Sequence, residues 1–128
     1  FHSWDWSRAD QEGTSLILYD TRGPAGEAHS LALRIDDRGT VEDFEAPPRS
    51  PLPKTAIWRI PRGTRSDREA PAQIARTLED TPFYARSVVR SRLQGRPVTA
   101  MHESLRLERF TTPWVQVLLP FRMPRKTW

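Results

Sequence analysis

Apolar and polar residues alternate with a period of two along most of this chain, and turns rich in Gly and Pro interrupt the alternation at short intervals. A period of two is the side-chain period of a β-strand, whose successive residues point to opposite faces. Helical periodicity is weak almost everywhere. The pattern therefore predicts short antiparallel strands. Phe1 to Ala9 alternates with His2, Trp4, Trp6 and Arg8 on one face, and Gly13-Thr14 opens a second strand over Ser15 to Asp20. After the punctuated turn at 21–26 comes the clearest strand, Ala28 to Asp36, with His29, Leu31, Leu33 and Ile35 together on one side. Asp36-Asp37-Arg38-Gly39 reads as a hairpin, and Thr40 to Glu45 returns.

Residues 46–55 carry four prolines, at Pro47, Pro48, Pro51 and Pro53, and read as an extended crossing loop. Ile57 to Ile60 is expected as a short strand stopped by Pro61, and Arg62 to Ala70 as a mobile loop. The hairpin logic then repeats. Ile74 to Leu78 and Tyr84 to Leu93 are strands, Gln94 to Pro97 is a turn, and Val98 to Phe110 comes back. Trp114 to Leu118 is a final strand or short helix. A meander of this kind favours an all-β, up-and-down antiparallel barrel with an apolar interior, able to hold one small ligand.

The 128 residues suit one domain with a core that folds without staples. The absence of cysteine excludes a disulfide framework and a thiolate metal site, and fits a reducing compartment. No apolar run approaches the roughly 18–20 residues of a membrane-spanning helix, and no signal-peptide pattern opens the chain. Contact with a membrane is expected at its surface. The net charge of +4 comes from arginine, with Lys only at Lys54 and Lys126. The arginines are spread out and interleaved with acids, without a nucleic-acid module, so no nucleic-acid partner is expected.

The histidines, His2, His29 and His102, lie far apart in no ligand spacing, so no metal site is expected. The glycines sit singly, which leaves no phosphate loop, and there is no Gly-x-Ser-x-Gly elbow. Glu103 shares its row with Thr99, Met101, Leu105 and Leu107, which looks inward. A carboxylate against apolar walls could be a general acid; it could equally sit at a barrel mouth or pair with an arginine. His29 shares a face with Leu31 and Leu33 and reads first as a core histidine. Asp5 lies between Trp4 and Trp6, so either the indoles or the carboxylate face the interior. Tyr19-Asp20 ends a strand, where Asp20 can cap the turn.

Longer words in the chain are similar to a known family. Trp-Asp-Trp-Ser-Arg-Ala at 4–9, Leu-Glu-Asp-Thr-Pro-Phe-Tyr-Ala-Arg at 78–86, Met-His-Glu-Ser-Leu-Arg-Leu-Glu-Arg-Phe at 101–110 and Leu-Pro-Phe-Arg-Met-Pro-Arg at 119–125 resemble the carotenoid 1,2-hydratases, or hydroxyneurosporene synthases, of purple phototrophic bacteria. The resemblance implies a lipocalin-like barrel and the addition of water to the terminal C1–C2 double bond of acyclic carotenoids. It implies no cofactor, and a peripheral place on the cytoplasmic side of the inner, photosynthetic membrane. It also implies that residues 1–128 are the C-terminal portion of a longer protein with an upstream lipocalin-like domain. On this reading Glu103, Asp5 and His2 are the catalytic candidates, and Trp4, Trp6, Tyr19, His29 and His102 line the polyene. The family's Tyr-x-Asp segment has no counterpart here, since Tyr19-Asp20 lacks the spacer, so the main acid is expected outside this sequence. The competing readings are a non-catalytic lipid or polyene carrier and an accessory piece of a photosynthetic membrane assembly.

Overall fold

The computed structural model describes residues 3–108. They form nine strands: β1 (Ser3–Gln11), β2 (Thr14–Arg22), β3 (Ala28–Ile35), β4 (Val41–Asp43), β5 (Arg49–Leu52), β6 (Arg62–Arg65), β7 (Gln73–Asp80), β8 (Tyr84–Leu93) and β9 (Arg96–Arg106). Seven of them make one antiparallel sheet in the order β4-β3-β2-β1-β9-β8-β7, and β5 pairs with β6 in a separate ribbon. The all-β antiparallel expectation holds. The barrel does not close among the described residues: β4 and β7 remain the two edges. Residues 109–128, with the expected element at 114–118, and His2 lie outside the described residues.

The tight turns explain the register. Glu12-Gly13 joins β1 to β2 with φ of 47° and 81°, and Gln94-Gly95 joins β8 to β9 with φ of 53° and 79°. Two central residues with positive φ match the right-handed twist of the strands they connect. The Gln94-Gly95 turn starts a ladder that runs without a slip from Leu93↔Arg96 to Tyr84↔Leu105. Nothing lies within 4 Å of a Cβ built on Gly95, so a side chain there meets only its own backbone strain. Gly95→Ala is expected to destabilise by about 1 kcal/mol, read as a lower midpoint in thermal unfolding.

One face of the sheet carries the core. Ala9, Leu16, Leu18, Ala32, Leu93, Val98 and Ala100 form its apolar half, with Phe44 and Ala46 packed on them. The other half is polar: Ser3, Asp5, Ser7, Asp20, Ser87, His102, Ser104 and Arg106 are all buried. The expectation of an apolar interior is thus corrected for this half. The β5–β6 ribbon packs there against β1, β2 and β9. Arginines pin it. Arg62 donates from Nε to the Pro53 carbonyl at 2.8 Å and from Nη1 to Thr77 and Ser87 at 2.9 and 2.8 Å. Arg65 holds Asp20 at 3.0 Å and Ser30 at 2.8 Å.

Two further corrections follow from the ribbon. Arg62 to Ala70 contains β6 and a docked segment: the Asp67 carboxylate accepts the Gln94 and Gly95 N–H groups at 3.1 and 2.7 Å. Pro51 is tolerated in β5 because a two-stranded ribbon leaves one side of each strand unpaired. Ile57 to Ile60 is a turn region rather than a strand. Asp80 captures the Ile57 N–H at 2.8 Å, Thr55 Oγ1 accepts the Ile60 N–H at 2.8 Å, and only Ile60 is buried.

Candidate functional site

The sheet separates the residues singled out from sequence into two groups, back to back. On the buried face, Asp5 is the centre of a polar cluster. Its carboxylate accepts from Arg106 Nη2 at 3.2 Å (Oδ1) and 3.0 Å (Oδ2), from the Gly63 N–H at 3.3 Å, and from the Ser104 hydroxyl. His102 Nε2 is 2.7 Å from the Gly63 carbonyl and 3.5 Å from Asp5 Oδ1. The β6 backbone therefore fixes both side chains, and the Gly63 carbonyl selects the Nε2–H tautomer.

Burial lowers the His102 pKa; Asp5 and the Gly63 carbonyl work against this, and Arg106 and Arg62 reinforce it. The contact with Asp5 is then a neutral imidazole beside a carboxylate rather than an ion pair. The consequence for stability has a definite sign. Below the ordinary histidine value of 6.5 the unfolded chain takes up a proton that the folded chain refuses. Stability is expected to fall as pH drops from neutrality through 6.5 toward the lowered value, and His102→Gln is expected to flatten that slope in urea unfolding at matched pH values.

The opposite face is aromatic and half-buried. Trp6 stands between Tyr19 of β2 and Glu103 of β9, and Trp4 stands opposite Leu105. Trp4 and Tyr19 have ring centroids 6.2 Å apart with planes tilted by 42°. Met101, Leu105 and Ile17 share this face by register and are half-buried. Glu103 lies opposite Arg86, which is itself 3.0 Å from Glu79. The expected inward orientation of the Glu103 row is corrected: the neighbouring row, with His102 and Ser104, is the buried one. His29 is also displaced from expectation, being exposed near the start of β3, opposite Thr21.

Tyr84 was not among the residues selected from sequence. Its pKa is pushed up, first by burial and then by the adjoining Glu103 carboxylate, so the phenol keeps its proton. The β8–β9 turn could have revealed it, since counting out from Gln94-Gly95 brings Tyr84 and Arg86 beside Glu103 and Leu105. Trp4, Trp6, Tyr19, Glu103 and Tyr84 thus make one surface: aromatic rings around a carboxylate and a protonated phenol. Such a surface suits an apolar, electron-rich ligand and a positive charge developing on it.

The model of the carotenoid hydratase CrtC family matches residues 1–128. The chain belongs to the carotenoid hydratase CrtC family. It is 54% identical over 125 residues to the acyclic carotenoid 1,2-hydratase of Thiocapsa roseopersicina, covering 98% of this chain and 31% of that protein. It is 48% identical over 127 residues to the one of Rubrivivax gelatinosus, with the same shares, 98% and 31%. For Rhodobacter capsulatus the identity is 31%, over 98% of this chain and 45% of that protein. The chain therefore spans about a third of the length of the first two curated relatives. Among solved structures, the siderocalin Ex-FABP aligns with 93% of this chain and 77% of its own at 12% identity and a TM-score of 0.27, too low to carry an argument. Membership of the CrtC family covers both faces of the sheet alike, so the choice between them rests on their chemistry.

Proposed function

We propose that the protein works as an acyclic carotenoid 1,2-hydratase, and that the aromatic outer face of the sheet is this chain's wall of the polyene site. The observation that carries the reading is the family match over the whole chain. The aromatic surface supports the second part. An acyclic polyene buries area on the aromatic and apolar side chains Trp4, Trp6, Tyr19 and Leu105. The opposite face would require burying it against arginines and aspartates.

Hydration adds a proton to C2, which leaves a tertiary cation at C1. Water then bonds to C1 and gives up a proton. The sum is alkene plus water to alcohol, with no change of oxidation state. On this chain the ring faces of Trp4 and Trp6 stabilise the cation through their quadrupoles. Glu103 orients the water and takes the proton it releases. Tyr84, which stays protonated, holds Glu103 in place. His2 adjoins this segment in sequence and belongs to the same proposal. The acid that protonates carbon comes from the family's Tyr-x-Asp segment, which this sequence lacks. An acyclic carotenoid dissolves in lipid, which supports a place for the protein at a membrane surface. No helix among the described residues is long and apolar enough to cross one.

The test is to supply the full-length protein with an acyclic carotenoid in vesicles and follow the gain of one water by mass spectrometry. Hydrated product supports the reading. Tight binding with no product would make the protein a carrier instead.

A further inference from the structure

Four arginines bound one pocket at the polar end of the buried face, with Trp4 also in its wall. The pocket has a volume of about 420 Å³, and Arg22, Arg49, Arg62 and Arg106 are in its wall. Two come from the sheet: Arg22 and Arg106 flank Ser3 in a single cross-strand row. Two come from the ribbon above it. Arg49 Nη2 lies 3.1 Å from where a Cβ on Gly63 would stand, so the absence of a side chain at Gly63 lets this guanidinium lie close over β6.

Among the described residues, the two aspartates of the wall leave Arg22, Arg49 and Arg62 without a carboxylate partner. Asp5 is taken by Arg106 at 3.0 Å, and Asp20 by Arg65 at 3.0 Å. Glu108, the third, is engaged as well. Arg22 and Arg49 make no ion pair or side-chain hydrogen bond among the described residues. Arg62 is 8% exposed, and its hydrogen bonds go only to neutral oxygens, those of Pro53, Thr77 and Ser87. Its Nη2 has no partner among the described residues. Burial lowers the Arg62 pKa and only the field of Asp80 opposes this, so a further negative charge close by would be favourable.

We propose that this pocket binds a phosphate-class oxyanion. A guanidinium presents a planar fork of donors that matches two oxygens of a phosphate, and several forks arranged around one space match a tetrahedral anion. A polyene would have to desolvate the same groups without replacing their hydrogen bonds, and a cation would be repelled. The phosphate can come free in solution or as the headgroup of an anionic phospholipid.

Inorganic phosphate titrated into the full-length protein at constant ionic strength, by calorimetry, reads the site. Saturable binding is expected, weakened about tenfold or more in Arg22→Gln/Arg49→Gln. It is expected to be unchanged in Arg38→Gln, at an exposed hairpin tip. Both pocket positions are exposed at the rim, so the double variant is expected to fold, and its thermal midpoint checks this. Arg62→Lys, which keeps the charge but loses the fork, should show an intermediate loss. Vesicles of phosphatidylglycerol then separate the two sources. Sedimentation that phosphate competes away and the double variant loses identifies the headgroup; sedimentation indifferent to both identifies free phosphate. No saturable phosphate binding by the wild type, or equal binding by the double variant, would overturn the proposal.

Discussion

Arg106→Met is expected to destabilise the protein by about 3–5 kcal/mol, because it leaves the Asp5 carboxylate buried without its counter-charge. The pair is well shielded, with each side chain 9% exposed and 3.0 Å between Arg106 Nη2 and Asp5 Oδ2. Two donors remain to Asp5 in the variant, the Ser104 hydroxyl and the Gly63 N–H. They soften the loss without replacing a charge. Arg106 also donates from Nη1 to the Trp4 and Leu105 carbonyls, at 3.0 and 2.9 Å, so its removal frees the backbone of the two strands that carry the aromatic face. Urea unfolding with an unchanged m-value is the measurement. Asp5→Leu/Arg106→Met should lose less than Arg106→Met alone, since removing both charges leaves nothing unpaired. A single-variant loss under about 1 kcal/mol, the value of an exposed pair, would contradict the buried-pair account.

Glu103→Gln is expected to reduce turnover by about a hundredfold or more, the usual size of a lost proton-transfer group. It should leave polyene binding nearly unchanged, because glutamine keeps the shape and the hydrogen-bonding reach while losing the ability to take a proton. The aromatic wall that supplies the binding area, Trp4, Trp6 and Tyr19, is untouched. Trp6→Leu should do the reverse in part, weakening binding and turnover together, because its ring is proposed both to hold the polyene and to face the cation.

The strands and most hairpins were legible in the sequence because alternation and turn chemistry are local. Gly13, Gly39 and Gly95 all have positive φ at turns between consecutive strands. The phase of β9 was not legible. Its odd row, with Met101, Leu105 and Leu107, has the larger apolar side chains and so looked inward. The buried row is instead Val98, Ala100, His102, Ser104 and Arg106. Part of the reason is the ribbon. Small residues at Ser3, Ser7, Ala85, Ser87 and Ser104 leave room for β5 and β6 to lie on the sheet. A small residue signals a close neighbour only once that neighbour is known.

The ribbon itself was hidden by its composition. Pro51 in β5 and the arginines of β6 argue against strands, and what holds them is distant in sequence: Arg62 reaches Ser87, Arg65 reaches Asp20, and Gly63 reaches Asp5 and His102. Trp4 and Trp6 stand out in the sequence as an indole pair and Glu103 as a carboxylate in an apolar row, and the register of β1 with β9 brings them together. Asp5 and His102, also candidates from the sequence, lie on the other side, against Arg106, Ser104 and the β6 backbone.

Adjacent residues of β9 report on opposite faces, and this gives the most direct test of the central claim that the aromatic face is the reaction's wall. Turnover of an acyclic carotenoid should be measured side by side in full-length Glu103→Gln and Ser104→Ala, both confirmed as folded. A loss of about a hundredfold in Glu103→Gln with near wild-type turnover in Ser104→Ala is the predicted result. Wild-type turnover in Glu103→Gln together with a large loss in Ser104→Ala would contradict it and move the chemistry to the Asp5 side of the sheet.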